Sequence, residues 1–145
     1  MSNNARSSIK KFHVPVPVKL SLGWATLLPL YFYNDYLLFF IPGQIEGMNS
    51  GSMGPLGPTT ELKLLFTAAF LAVPCLMILL SSLVPSKVSR WLNLIVVPLH
   101  GIPNGLTLLP VFGAPLFFQF IVGIEIIVTL IIFWIALRWP KQERR

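Results

Sequence analysis

Charge is scarce in this chain. Of its 145 residues, 11% are charged and only five are acidic, against about a quarter charged in an average soluble domain. A water-soluble fold of this length needs polar cover, and a composition 54% hydrophobic leaves too little of it. Cysteine is scarcer still. Cys75 stands alone, which excludes an intrachain disulfide and leaves the redox compartment unread. It falls inside an apolar run, where it is expected to serve as a buried apolar filler. Two histidines and one cysteine, far apart, offer no clustered ligand spacing, so no metal site is expected. No glycine-rich phosphate loop follows a strand, and no GxSxG or Ser/His/Asp arrangement is present. No cofactor is implied, and hydrolase or redox chemistry finds little support.

Long apolar runs are what the chain does have. A membrane-spanning helix needs roughly 20 predominantly apolar residues. Four segments meet that length, about 20–41, 62–83, 91–109 and 116–137. Backbone polar groups must be satisfied inside lipid, so each is expected to be a helix. The fold class expected is all-α, a bundle of four transmembrane helices in one membrane domain, residues 20–139. A basic segment, residues 1–19, precedes it, and a basic tail, residues 140–145, follows. The first run is too long for a signal-peptide core and no cleavage site closes it, so it is expected to be retained. The expected location is the cell membrane, crossed several times, with the lipid bilayer as partner. A homo-oligomer or a larger membrane complex fits this class.

Ten of the eleven basic residues lie on one side of these runs: Arg6, Lys10, Lys11, Lys19, Lys87, Arg90, Arg138, Lys141, Arg144 and Arg145. Lys63 alone lies on the other. The positive-inside rule then places both termini in the cytoplasm. Nucleic acid is excluded as a partner, because the basic residues mark helix ends rather than forming a patch.

The stretch 33–61 holds three of the five acidic residues, Asp35, Glu46 and Glu61. Its part from Gly43 to Thr60 is the one extracytoplasmic loop, expected to be ordered, between the first two helices. Pro15 and Pro17 predict an extended chain up to Lys19. Trp24, Tyr31, Tyr33 and Tyr36 read as interfacial aromatics. Asp35 lies about 16 residues past Lys19, or roughly 24 Å along a helix. A carboxylate at that depth is costly and marks a candidate site; a hydrated helix-end Asp bonded to tyrosine hydroxyls is the alternative. Pro42 and Gly43 stop the helix, and Gln44 to Met48 predict a short interfacial turn. Ile45, Met48 and Met53 predict a lid folded onto the bundle, with Glu46 meeting Tyr33, Asn34 or a loop N–H. Thr59 or Thr60 predicts the next N-cap, with Glu61 in the first turn. Ala68, Ala69 and Ala72 predict a face for close helix approach.

The third run is interrupted by Pro98, Gly101, Pro103 and Gly105, which predicts a broken helix lining a polar site. His100 and Asn104 share one face, one turn apart. Glu125 lies at the centre of the fourth run, where it must be paired, protonated or wet. Matching depth suggests a Glu125–His100 contact, a two-site proton relay in miniature. A structural Glu125, bonded to Asn104, Thr107 or a freed carbonyl, is the alternative. The candidate ligand or proton site is therefore Glu125, His100, Asn104, Asp35, Tyr33, Tyr36 and Glu46, with no catalytic residue assigned.

Several short motifs carry a resemblance. They are K-L-S-x-x-W from Lys19, Y-x-D-Y from Tyr33, I-P-G-x-I-E from Ile41, G-x-M-G-P from Gly51, R-W-x-N from Arg90 and I-E-I from Ile124. In these the chain resembles an uncharacterised family of small bacterial and archaeal membrane proteins over about residues 19–139. The resemblance implies four membrane helices and no assigned activity. Three functions stay open. A non-enzymatic accessory, sensing or ligand-binding subunit comes first. A small proton-coupled carrier using Glu125, His100 and Asp35 is the alternative. A membrane-embedded enzyme acting on a lipid or quinone is the third.

Overall fold

The computed structural model describes residues 14–139. The basic segments at either end, with Arg6, Lys10, Lys11, Lys141, Arg144 and Arg145, lie outside the described residues. Among these residues the chain is all-α, with five helices and no strand. They are α1 (Val16–Leu38), α2 (Gln44–Asn49), α3 (Glu61–Leu83), α4 (Ser86–Leu106) and α5 (Leu116–Leu137). Single 3₁₀ turns at Gly54–Leu56 and Pro110–Phe112 sit in the connections.

Local chemistry explains most helix ends. α1 begins at Val16, not after Lys19, so the expected extended approach is corrected. Pro15 caps it and Pro17 lies in the first turn, where a missing N–H costs nothing and the fixed φ suits the helix. Thr60 caps α3 by accepting from the Lys63 N–H at 3.3 Å, with Glu61 in the first turn. Arg90 closes the far end of α5: Nε donates to Ala136 O and an Nη to Leu137 O, both at 3.2 Å. A cation there satisfies exposed carbonyls and complements the helix dipole.

α4 corrects a second expectation. It runs unbroken from Ser86 to Leu106 through Pro98 and Pro103. Each proline removes one backbone bond, but packing against two neighbouring helices holds the path. Gly101 is what permits that packing: a Cβ built on it would lie 2.6 Å from Thr129 Cγ2 of α5. Gly23 of α1 does the same against Ile132 Cγ1, at 2.5 Å.

The four long helices form a ring. α1 packs against α3 and α5, and α4 packs against α5 and α3. Each helix buries one stripe at three- and four-residue spacing: Leu20, Trp24, Leu27, Tyr31 and Asn34 on α1, and Ser89, Asn93, Val97 and His100 on α4. α5 contributes Val122, Glu125, Thr129, Ile132 and Ala136, and α3 contributes Pro74, Met77 and Ser81. This is the seam spacing of helix bundles. The stripes mix apolar and polar groups, while the outer faces carry Leu65, Phe66, Leu99, Phe120 and Leu116, the last 84% exposed.

α3 and α5 are long and apolar enough to cross a membrane; the other helices do not meet that measure. The expected count of four spans is therefore met by two. The reason is physical: α1 carries Lys19, Asn34 and Asp35, and α4 carries Lys87, Arg90, Asn93, His100 and Asn104, which lower the mean hydropathy. The alanines Ala68, Ala69 and Ala72 are exposed on α3 rather than packed within the chain. Cys75 is exposed beside them, which corrects its reading as a buried filler.

The α1–α3 loop is an ordered hairpin and not a lid. Met53 N–H donates to Gly57 O and Thr59 N–H donates to Gly51 O, both at 2.8 Å. Lys63 Nζ ties the exit by donating to Leu56 O at 2.6 Å and Pro58 O at 2.8 Å. Ile45 and Met48 stay exposed while Met53 is half-buried, and Glu46 is exposed with no side-chain hydrogen bond among the described residues. The loop satisfies its own backbone groups through glycine turns, so nothing draws those side chains down onto the bundle.

Candidate functional site

Polar side chains of the inner stripes stack in layers along the bundle axis. The layer farthest from the loop is built on Asn93. Its Oδ1 accepts from Trp24 Nε1 at 2.8 Å and from Ser81 Oγ at 3.5 Å. Its amide donates to Ser89 O at 2.9 Å and to Ser81 Oγ at 3.1 Å. Ser89 Oγ donates to Ser81 O at 2.7 Å. Every partner is fully or almost fully buried. Trp24 is thus a core residue and not an interfacial aromatic.

The middle layer is built on His100. Its Nε2 lies 3.1 Å from Phe70 O, and its Nδ1 lies 3.2 Å from the Tyr31 hydroxyl. A carbonyl only accepts, so Nε2 donates, and Nδ1 of the singly protonated ring accepts from Tyr31. The Phe70 ring stacks on the imidazole at 3.9 Å. Both nitrogens and one ring face are therefore committed. Tyr31 leaves the aromatic belt to take this role.

The layer nearest the loop is different. The Trp24–Asn93 and Tyr31–His100 contacts share one sequence offset, 69 residues, so α1 and α4 run parallel in constant register. That register carries Asn34 to the level of Pro103 and Asn104. α5 runs antiparallel to α4, and Asn104 Nδ2 donates to Glu125 Oε2 at 2.8 Å. Asn34, Asn104 and Glu125 thus share one layer. Glu125 is 0% exposed and Asn34 is 4% exposed. Two buried acceptors here, Glu125 Oε1 and Asn34 Oδ1, have no hydrogen-bond partner among the described residues. Such groups are rare in folded proteins and mark strain or function.

The expected Glu125–His100 pair does not form. Asn104, one turn nearer the loop, meets the carboxyl instead, because the α4–α5 connection sets a register in which Glu125 faces Asn104 and Thr129 faces Gly101. Thr107 Oγ1 donates to Asn104 O and Thr129 Oγ1 to Glu125 O, so neither hydroxyl reaches the free oxygen. Asp35, Tyr33 and Tyr36 are exposed beside this layer on α1. Tyr36 packs edge-on against Phe39 and Phe40. Glu46 stands apart in the loop.

Among the described residues no three His, Cys, Asp or Glu side chains converge as a metal site. A groove of about 260 Å³ opens on the outer face between α4 and α5, lined by Val97, Pro98, Ile102, Ile126, Leu130 and Phe133. It holds no titratable group.

Residues 9–145 match the model of a family of unknown function, DUF6326. The chain belongs to that family. No curated protein and no solved structure matches it. In this DUF6326 chain, sequence reasoning missed Trp24, Asn34, Ser81, Ser89 and Asn93 as an inner polar system. A signal was present: Trp24, Asn34, Asn93 and Glu125 all fall within or between the letters of the short motifs that carry the resemblance.

Proposed function

We propose that this protein is a four-helix integral membrane protein whose working site is the layer Asn34–Asn104–Glu125, and that it serves as a non-enzymatic ligand-binding or sensing subunit. Support for the membrane reading comes from the inverted pattern of the bundle. Large apolar side chains cover its outside while Asn, Ser, His and Glu fill its inside. Water would favour the reverse, and polar side chains hold helices together where lipid surrounds them. α1 and α4 then cross alongside α3 and α5, their polar residues turned inward. Lys19, Lys87, Arg90 and Arg138 gather at the end away from the loop, which supports cytoplasmic termini and an outward loop. The lipid bilayer is the partner. The exposed alanine face of α3 is where a second copy, or another membrane subunit, is expected to pack.

The observation that carries the site reading is the contrast between layers. Two are closed, each buried donor matched to an acceptor, while the third keeps two acceptors unmatched. An intramembrane carboxyl that stays half-paired points to a ligand. The carrier reading draws on the same layer but needs a path past His100, whose nitrogens are both engaged. The lipid- or quinone-enzyme reading needs reactive groups in the lateral groove, and its lining has none.

A membrane-permeant carbodiimide tests the site in the folded chain. Glu125 is expected to be modified, read by peptide mass, because a ligand site must admit a small molecule. A chain modified at Asp35 but never at Glu125 would have a closed core and no such site.

A further inference from the structure

We propose that the Asn34–Asn104–Glu125 layer binds a small monovalent cation, entering past Asp35. This deepens, and rests on, the reading of that layer as a ligand site. The two unmatched atoms are both oxygen acceptors, Glu125 Oε1 and Asn34 Oδ1. They stand on different helices, α5 and α1, in one layer set by the shared α1–α4 register and the Asn104–Glu125 bond. What completes them must supply positive charge or donor hydrogens. A ligand with acceptors would add a third unmatched oxygen.

The surroundings narrow the class. The Asn104 amide donates to Oε2, and no amide of the layer is hydrogen-bonded to either free oxygen. The nearest described cation on the loop side, Lys63, has its ammonium held by Leu56 O and Pro58 O. The Tyr31 hydroxyl one turn below is committed to His100. No described side chain of the layer supplies a positive charge, so a charge on Glu125 is balanced by its own proton or by a bound cation that competes with it. A divalent ion is disfavoured, because it takes six or more oxygens with several carboxylates among them, and no three acidic or other metal-binding side chains converge here. One carboxylate oxygen and one amide oxygen suit a single positive charge. An alkali ion and ammonium share that chemistry.

The approach is also in place. Asp35 follows Asn34 directly and is exposed on α1. An exposed carboxylate beside a buried one raises the local concentration of cations at the entrance. Both side chains are buried, Glu125 0% and Asn34 4% exposed, so a bulky organic cation is the expected non-ligand.

Carbodiimide labelling of Glu125 in the full chain, in vesicles of neutral lipid, reads the proposal. Chlorides of lithium, sodium, potassium, ammonium and tetraethylammonium are compared at matched pH and ionic strength. At least one small cation is expected to slow labelling saturably, and tetraethylammonium is not. Asn34→Leu is expected to raise the half-protecting concentration roughly tenfold or more, since a bond to a charged group is lost. Asn34→Asp, which keeps the oxygens, is expected to retain protection. Equal labelling in every salt overturns the cation and leaves the site standing. Equal slowing by every salt, tetraethylammonium included, is a bulk salt effect and overturns it too. Unlabelled Glu125 in all salts, with Asp35 modified, removes the site reading itself and the cation with it. Should Asn34→Leu fail to fold, the wild-type comparison between salts decides alone.

Discussion

Asn93 shows how much one side chain does when it is buried in an apolar bundle. It takes part in four hydrogen bonds with Trp24, Ser81 and the Ser89 carbonyl. Asn93→Ala strands several buried partners at once, and each unpaired group costs about 1–3 kcal/mol. The variant is expected to lose roughly 2–4 kcal/mol in denaturant unfolding of the detergent-solubilised chain. A loss under about 0.5 kcal/mol, the range of ordinary surface changes, would mean the layer does not hold the bundle. Glu125 behaves differently at the same scale. Glu125→Leu leaves the Asn104 amide without its acceptor and is expected to cost about 1–3 kcal/mol. Glu125→Gln keeps shape and one acceptor oxygen, so it is expected to fold with near-native stability. If Gln and Leu destabilise equally, the Asn104 bond contributes nothing. Glu125 stood out in the sequence because a carboxyl amid apolar residues is conspicuous. Asn34 reads there only as a neighbour of Asp35 and a partner for Glu46, because its place in the core depends on the helix rotation.

Helix contacts in this bundle depend on two glycines that bring backbones together. Gly101→Ala places a methyl 2.6 Å from Thr129 Cγ2, on a face where both helices are fixed by further contacts. Overpacking of that kind costs typically about 1–3 kcal/mol, and the thermal midpoint is expected to fall accordingly. Gly123→Ala is the control. Nothing lies within 4 Å of its added methyl, and Ala is the better helix former by up to about 1 kcal/mol, so the midpoint is expected to hold or rise. Equal losses in both variants would show that helix approach at Gly101 is not tight. Element boundaries were legible where local chemistry acts alone, as where Thr60 caps α3; the first helix instead ends at Leu38, ahead of the Pro42–Gly43 stop the sequence suggested. α4 was misread as broken for the opposite reason. Pro98 and Pro103 weaken an isolated helix, but α4 stays continuous where it packs against α5 and α3, and that packing is not visible in the local sequence.

Across the whole molecule, the charge asymmetry makes a prediction about sidedness. Lys19, Lys87, Arg90 and Arg138 sit at one end of the bundle and the Gln44–Pro58 hairpin at the other. In the membrane reading the hairpin faces outward. A cysteine at Ser52 in a Cys75→Ala background is expected to react with an impermeant thiol reagent in intact cells, and one at Gln142 only after lysis. The background matters because Cys75 is exposed on α3. The reverse labelling would invert the orientation while leaving the bundle untouched.

Composition and run length determined the all-α class, since sparse charge and long apolar segments admit little else. The same signals located α3 and α5 closely, because those helices are the most apolar of the four. They said less about α1 and α4, whose polar residues are hidden only once the helices turn them inward. Single residues with costly chemistry, Glu125 above all, could be picked out as candidates from the chain alone. Their partners could not, because a partner depends on the rotation and register of helices far apart in sequence. The constant α1–α4 offset and the antiparallel α4–α5 pairing are properties of packing. That packing gave His100 to Tyr31 and Phe70, gave Glu125 to Asn104, and brought Asn34 into the same layer. It closed two polar layers and left the third with two unmatched acceptors.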